Sequence, residues 1–288
     1  MIHNIKNIKI RTKNMKIFIA CDMEGITGIT NWNQVESTHA EYPRFRKLMT
    51  ADVNAAILGA FEAGADQVVV ADGHDTGTNI LVEELDPRAR INSSNSSPFS
   101  MVQGIQDGAD GVFFIGYHAR AGSKHAILDH TWSSLRVHNL WLNGELTGEY
   151  GLNGALCGYF GAPVIMLSGD QTTCKQASDC LGPIEVAVVK RATSRFSAEL
   201  LPPETTHQMI CEAAARAVTR LRKGDAPKPY RLSEPVTVRL EFTSSNMADG
   251  ASLLPGSTRL DGRTIEVTLP NMEEAYLAFK AAISLAGR

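Results

Sequence analysis

Gln67-Val68-Val69-Val70-Ala71-Asp72-Gly73-His74 reads as a buried strand that runs straight into metal-ligand chemistry. Its centre is nearly all β-branched, with no polar alternation, which fits a strand covered on both faces, as in a parallel sheet. Upstream, Phe45, Leu48, Met49, Val53, Ala56, Ile57, Ala60 and Phe61 recur at threes and fours. That spacing predicts a helix over 43–64, with Pro near its start and Gly at its end. A second β-type run covers Lys16–Cys21, and others follow at 112–117, 163–167 and 184–189. Helix signals at 152–160 and 172–180 precede the last two, so the pattern implies parallel βαβ units. The run 135–142 ends in Asn143-Gly144, the signal of a tight hairpin.

The pattern changes after about residue 193. A long helix over 204–223 leads into Ala226-Pro227-Lys228-Pro229, strands at Val236–Phe242 and Thr264–Leu269, and a helix opened by Asn271 and Glu274 at the spacing of a reciprocal cap. The expected organisation is α/β: a mostly parallel sheet flanked by helices over 15–193, carrying the chemistry, and a smaller C-terminal α+β region over 194–288. Residues 1–14 hold Lys6, Lys9, Arg11 and Lys13 with no acid. They read as a flexible extension, with Met15 as an alternative start.

The composition is that of an ordinary globular protein, with 288 residues, 43% hydrophobic and 20% charged, and a formal net charge of −3. It carries no basic stripe, so nucleic acid is not an expected partner. The cluster Arg216, Arg220, Arg222 and Lys223 closes a helix and suits its dipole. No apolar run approaches the roughly 20 residues of a membrane helix, and none has the form of a signal peptide. The five cysteines form no C-x-x-C pair, which points to a reducing, cytoplasmic setting and away from disulfides or a thiolate zinc site. Cys21, beside two acids, reads as an inert buried thiol.

Three β-type runs end in potential metal ligands: Asp22 and Glu24 after the first, His74 after the second, His118 after the third. Strand carboxyl ends converge on one crevice in an open α/β sheet, so these side chains are expected to meet. A mixed imidazole and carboxylate set suits zinc, with manganese or cobalt as substitutes. Glu149, at a helix start, either joins them or complements the helix dipole. Asp72 and Asp129 are candidates to orient the histidines. Arg120 is either a clamp for a peptide carboxylate or one half of a structural ion pair.

These segments, Asp22-Met23-Glu24-Gly25, Asp72-Gly73-His74, Gly116-Tyr117-His118-Ala119-Arg120, Asp129-His130 and Gly148-Glu149-Tyr150-Gly151-Leu152-Asn153, resemble in order the zinc-dependent D-aminopeptidase family, peptidase family M55. The similarity runs from Met15 onward. It implies a dinuclear zinc enzyme in which Asp22 bridges two ions, Glu24 and His118 complete one site, and His74 and Glu149 the other. His130 takes the place of the family's active-site histidine. The implied activity is removal of an N-terminal D-residue, D-alanine type, from short peptides by metal-activated water, in a ring-like homo-oligomer, a decamer in the typical member. The residues alone leave two rivals. One is the same centre acting on L-peptides, amino-acid amides or phosphoesters; the other is a non-catalytic binding protein stabilised by its metals.

Overall fold

The computed structural model describes residues 14–287, so all but Asn14 of the expected extension lies outside the described residues. In chain order the main elements are β1 (Lys16–Cys21), α1 (Tyr42–Glu62), β2 (Gln67–Asp72), β3 (Ala89–Asn92), β4 (Gly111–Ile115), β5 (Val137–Leu142) and β6 (Glu145–Thr147). There follow α2 (Glu149–Tyr159), β7 (Val164–Asp170), α3 (Gln171–Leu181), β8 (Glu185–Ser194), β9 (Ser197–Leu200) and α4 (Pro203–Arg222). The chain continues with β10 (Val236–Phe242), α5 (Ser245–Ala251), β11 (Thr258–Arg259), β12 (Thr264–Leu269) and α6 (Met272–Ala286).

Seven strands form one sheet in the order β3-β2-β1-β4-β7-β8-β9, parallel throughout except for β9, which runs back against β8. Side chains along its central strands alternate between two cores. Ile17, Ile19, Val68, Val70, Phe113 and Ile115 face the layer of α1 and α4, while Phe18, Ala20, Val69, Ala71, Val112 and Phe114 face the other side. Both faces are dry, which is why these strands lack polar alternation. The result is the mixed α/β architecture anticipated, a mostly parallel sheet flanked by helices.

A second, antiparallel sheet has the order β11-β12-β10-β5-β6. Asn143 and Gly144 turn the β5–β6 hairpin with φ of +49° and +88°, as the dipeptide predicts. β5 then pairs with β10, nearly a hundred residues downstream, so this sheet draws strands from both sides of position 193. Conversely, β9 extends the first sheet and α4 packs along α1. At α6, Asn271 Oδ1 accepts the Glu274 amide at 2.9 Å, while its side-chain amide, rather than its backbone N–H, donates to Glu274 Oε1. The cap is thus reciprocal, with one bond from a backbone amide and one between side chains.

Chain order reverses around β1: β2 and β3 lie on one side of it, β4 on the other. This switch point opens a crevice at the strand carboxyl ends. The loops leaving β1, β2 and β4 are tied together there, with Asp22 N donating to Ile115 O, Gly25 N to Gly116 O and Gly73 N to Cys21 O at 2.7–2.8 Å.

Candidate metal centre

Asp22, Glu24, His74, His118, His130 and Glu149 converge in this crevice, all of them sequence-predicted. Asp22 stands between two rings, with Oδ1 3.4 Å from His74 Nδ1 and Oδ2 3.3 Å from His118 Nε2. Glu24 Oε2 lies 3.2 Å from His74 Nδ1, and Glu149 Oε1 3.1 Å from His118 Nε2. Asp22, Glu24 and His118 offer ligand atoms within 4.8 Å of one another, as do His118, His130 and Glu149. The helix carrying Glu149 starts three residues before the predicted 152–160, which puts this carboxylate in the first turn of α2.

Backbone carbonyls fix the three rings. His74 Nε2 lies 3.0 Å from Val35 O, His118 Nδ1 3.0 Å from Ala119 O and His130 Nδ1 2.8 Å from Leu128 O. A carbonyl accepts only, so each of these nitrogens carries the proton and the other nitrogen faces the site, where the neutral ring would offer its lone pair to a metal. The His130 ring stacks on His118, centroids 3.9 Å apart, with its Nε2 3.9 Å from both Glu24 Oε1 and Glu149 Oε1. The Trp132 amide donates to Glu149 Oε1 at 2.6 Å, which aims that carboxylate.

Burial by itself would push the Asp22 and Glu24 carboxyls up, but the neighbouring imidazoles, His118 and His74 for Asp22 and chiefly His74 for Glu24, hold both below the ordinary range. Burial likewise works against the charge on His74 and His118, and Glu24 and Glu149 respectively lead the acids that push them well above the usual imidazole value. His130 moves the other way: burial and then the charge of His118 lower it. The centre is therefore a concentrated negative field that attracts cations. Asp22 Oδ2, Glu24 Oε2 and His118 Nε2 are buried without an aligned hydrogen-bond donor or acceptor among the described residues. Buried polar atoms without a well-directed hydrogen bond are costly, and divalent cations would satisfy all three. The donor set fits zinc.

Several neighbours behave differently from the sequence-based expectation. Asp72 touches no histidine ring; it accepts from the Asn79 and Ile80 amides and from the Asn79 side chain, and so folds the loop after His74. Asp129 receives the Gly122 and Ser123 amides and pairs with Arg195 at 3.1 Å. Both acids shape loops because backbone amides reach them before imidazoles do. Arg120 donates to Ala121 O at 3.2 Å and lies outside the lining of the cavity that contains the ligands. Cys21 is buried, and burial, then Asp72 and Asp22, push its thiol well up, as its acidic setting predicts. Arg216 and Arg220 each pair with Glu185 at 2.9 Å, so that basic cluster is occupied within the fold.

Lys190 escaped sequence reasoning. It is buried, with Nζ donating to Glu24 O and Ile26 O at 2.7 Å and to Ile29 O at 2.8 Å. Burial lowers its pKa to about 7, yet three carbonyl acceptors call for three N–H donors, which only the ammonium provides. It pins the loop that carries Glu24. The available signal was a lysine directly after the apolar run 184–189.

Gly25 makes the tightest approach in the centre. A Cβ there would overlap the Tyr117 carbonyl and come 2.5 Å from the Gly116 carbonyl carbon, between the loops that carry Glu24 and His118. Backbone cannot yield as a side-chain end can, so Gly25→Ala is expected to cost about 1–3 kcal/mol of stability and to weaken zinc binding. Thermal unfolding and zinc titration check this; a variant matching the parent in both contradicts it.

A family model described as D-aminopeptidase matches residues 15–281. A D-aminopeptidase of Bacillus subtilis (strain 168) is 34% identical over 275 residues, covering 95% of this chain and 98% of that protein. A solved structure of the Zn-dependent D-aminopeptidase DppA from Bacillus subtilis, described as a self-compartmentalizing protease, matches with a TM-score of 0.91 and 34% identity, across 95% of this chain and 98% of that one. A match over nearly the whole length, in sequence and in fold, places the chain in the D-aminopeptidase family, peptidase family M55, as an enzyme of the metallo-aminopeptidase class.

Proposed function

We propose that this enzyme removes an N-terminal D-amino acid, D-alanine type, from short peptides, and that Asp22, Glu24, His74, His118 and Glu149 hold two zinc ions, with manganese or cobalt as substitutes. The observation that carries this reading is the convergence of three carboxylates and two imidazoles: Asp22, Glu24, His74 and Glu149 line one cavity, and His118 Nε2 lies 3.3 Å from Asp22 Oδ2 and 3.1 Å from Glu149 Oε1. Asp22 would bridge the two ions, Glu24 and His118 would complete one site, and His74 and Glu149 the other. Preference for the D-hand rests on the relatives' descriptions.

Two such ions, when bound, lower the pKa of water and polarise a scissile carbonyl. The protein's own part begins with orientation: Val35, Ala119 and Leu128 set the tautomers, and Trp132 N–H aims Glu149. His130 is the catalytic residue. Its Nδ1 proton is committed to Leu128 O, and its lowered pKa keeps Nε2 free to take a proton and pass it to the departing amine. Burial of the cluster strengthens each of these interactions by excluding water.

We further place the enzyme in the cytoplasm as a homo-oligomer, a decamer. Its five cysteines are free, no described helix is long and apolar enough to cross a membrane, and the matched structure is described as self-compartmentalizing.

The test is hydrolysis of D-Ala-D-Ala and L-Ala-L-Ala side by side, by chelator-stripped protein with and without restored zinc. Zinc-dependent turnover of the D-form alone is the expected outcome. Turnover of the L-form alone, or of neither with two ions bound, contradicts the proposed substrate.

A further inference from the structure

The cavity that contains the ligand cluster has a volume of about 470 Å³ and is lined by two cations as well as by Asp22, Glu24 and Glu149. That size lies within the roughly 300–1,000 Å³ usual for small-ligand sites. The cations, Arg136 and Lys280, come from the layer of the second sheet, Arg136 just ahead of β5 and Lys280 from α6. Each is held in place. Arg136 N donates to Ser133 O at 3.1 Å and its carbonyl accepts from Thr243 N at 2.9 Å. Its guanidinium rests against the end of α6, where a Cβ on Gly287 would come 2.6 Å from Cζ. Lys280 Nζ donates to Ser97 O at 2.6 Å and to Pro98 O at 3.2 Å, which leaves one of its three N–H groups for a ligand.

Neither cation makes an ion pair with an acid among the described residues, although most arginines of the chain do pair or bond within the fold. Burial lowers the Lys280 pKa with no acid to offset it. Two partly buried cations thus line the cavity beside the proposed metal ligands, and neither is neutralised by an acid of the fold among the described residues. The free carboxylate of a short peptide supplies the missing negative charge.

We propose that Arg136 and Lys280 bind the free C-terminal carboxylate of the substrate, so that the enzyme selects short peptides with both termini free over C-terminally amidated ones. This rests on the peptidase reading above and names its substrate class more closely. The role of carboxylate clamp, one of two readings of Arg120 from the sequence, is here given to residues that line the cavity. A guanidinium gives a carboxylate two parallel N–H donors, and the lysine adds a third. The carboxylate is not itself a reacting group and keeps its charge through the cleavage, so its recognition acts on KM more than on kcat.

Binding and turnover are measured separately on the zinc-loaded full chain. For binding, the ligands are the uncleavable reduced-amide isostere of D-Ala-D-Ala, in which CH2–NH replaces the peptide bond, and its C-terminal carboxamide, titrated calorimetrically. The free acid is expected to bind on the order of 10- to 100-fold more tightly than the carboxamide. Arg136→Gln is expected to bring that ratio close to one, and Lys280→Met, which also frees the Ser97 and Pro98 carbonyls, to reduce it. Equal binding of acid and carboxamide by the parent protein, or a ratio unchanged in both variants, overturns the proposal. Absence of D-Ala-D-Ala hydrolysis alongside an intact acid preference would count against the peptidase reading instead.

Discussion

Asp22→Asn is expected to remove hydrolysis and at least one of the two zinc ions. The substitution keeps size and shape, so the loop after β1 has no steric reason to move. It removes the negative charge that faces both His74 and His118, at 3.4 and 3.3 Å, and puts an N–H where one of two acceptor oxygens stood. Loss of a hydrogen-bonding partner behind a ligand typically costs about 10–100-fold in metal affinity or activity, and loss of the bridging ligand itself exceeds that. Zinc content after dialysis, read with kcat/KM on D-Ala-D-Ala, checks the prediction. Two ions retained with activity within a few-fold of the parent would remove Asp22 from the centre.

Lys190→Met carries the second large effect, and it acts at a distance from the metals. Methionine fills much of the same space but offers no donor, so the carbonyls of Glu24, Ile26 and Ile29 lose the ammonium that now holds them at 2.7–2.8 Å. Each buried carbonyl left without a partner costs about 1–3 kcal/mol, which puts the whole change at about 3 kcal/mol or more. For a chain of this size that is a fall in Tm of roughly 6–10 °C. Because Glu24 belongs to the loosened loop, zinc affinity is expected to fall by the ~10–100-fold seen when a ligand loses its support. Calorimetric unfolding at matched zinc, with a zinc titration, reads both. A Tm within about 2 °C of the parent would show that the loop holds without Lys190.

The legibility of this molecule follows from what each element touches. β1, β2 and β4 are covered on both faces, so their sequences are unbroken apolar runs that announce themselves. The convergence of Asp22, Glu24, His74 and His118 was readable for the same reason: acids and histidines directly after such runs meet in one crevice when the strands are neighbours, as β1, β2 and β4 are. β3 and β9 were missed because they lie at the sheet's edges, where exposed residues such as Arg90 and Glu199 blur the pattern. The β5–β6 hairpin was readable from Asn143-Gly144, but its union with β10 depends on packing between segments far apart in the chain, which no local pattern records.

Side-chain partners were harder to read than elements. A lysine after an apolar strand reads as the point where the chain reaches water, yet Lys190 is only 1% exposed, because carbonyls of the loop that follows β1 take water's place. Asp72 and Asp129 were the right type to support a histidine, but the backbone amides beside them are closer. Arg136 and Lys280 lie in segments whose sequence gives no hint of which face meets the cavity; that is decided by how α6 packs over α2 and the second sheet.

Anomalous scattering at the zinc edge, from crystals of the zinc-loaded enzyme, reports most directly on the centre. Two peaks a few ångströms apart are expected, one on each side of the Asp22 carboxylate, with Glu24, His74, His118 and Glu149 completing their coordination at roughly 2.0–2.2 Å. A single peak, or zinc bound away from these five side chains, would contradict the dinuclear centre.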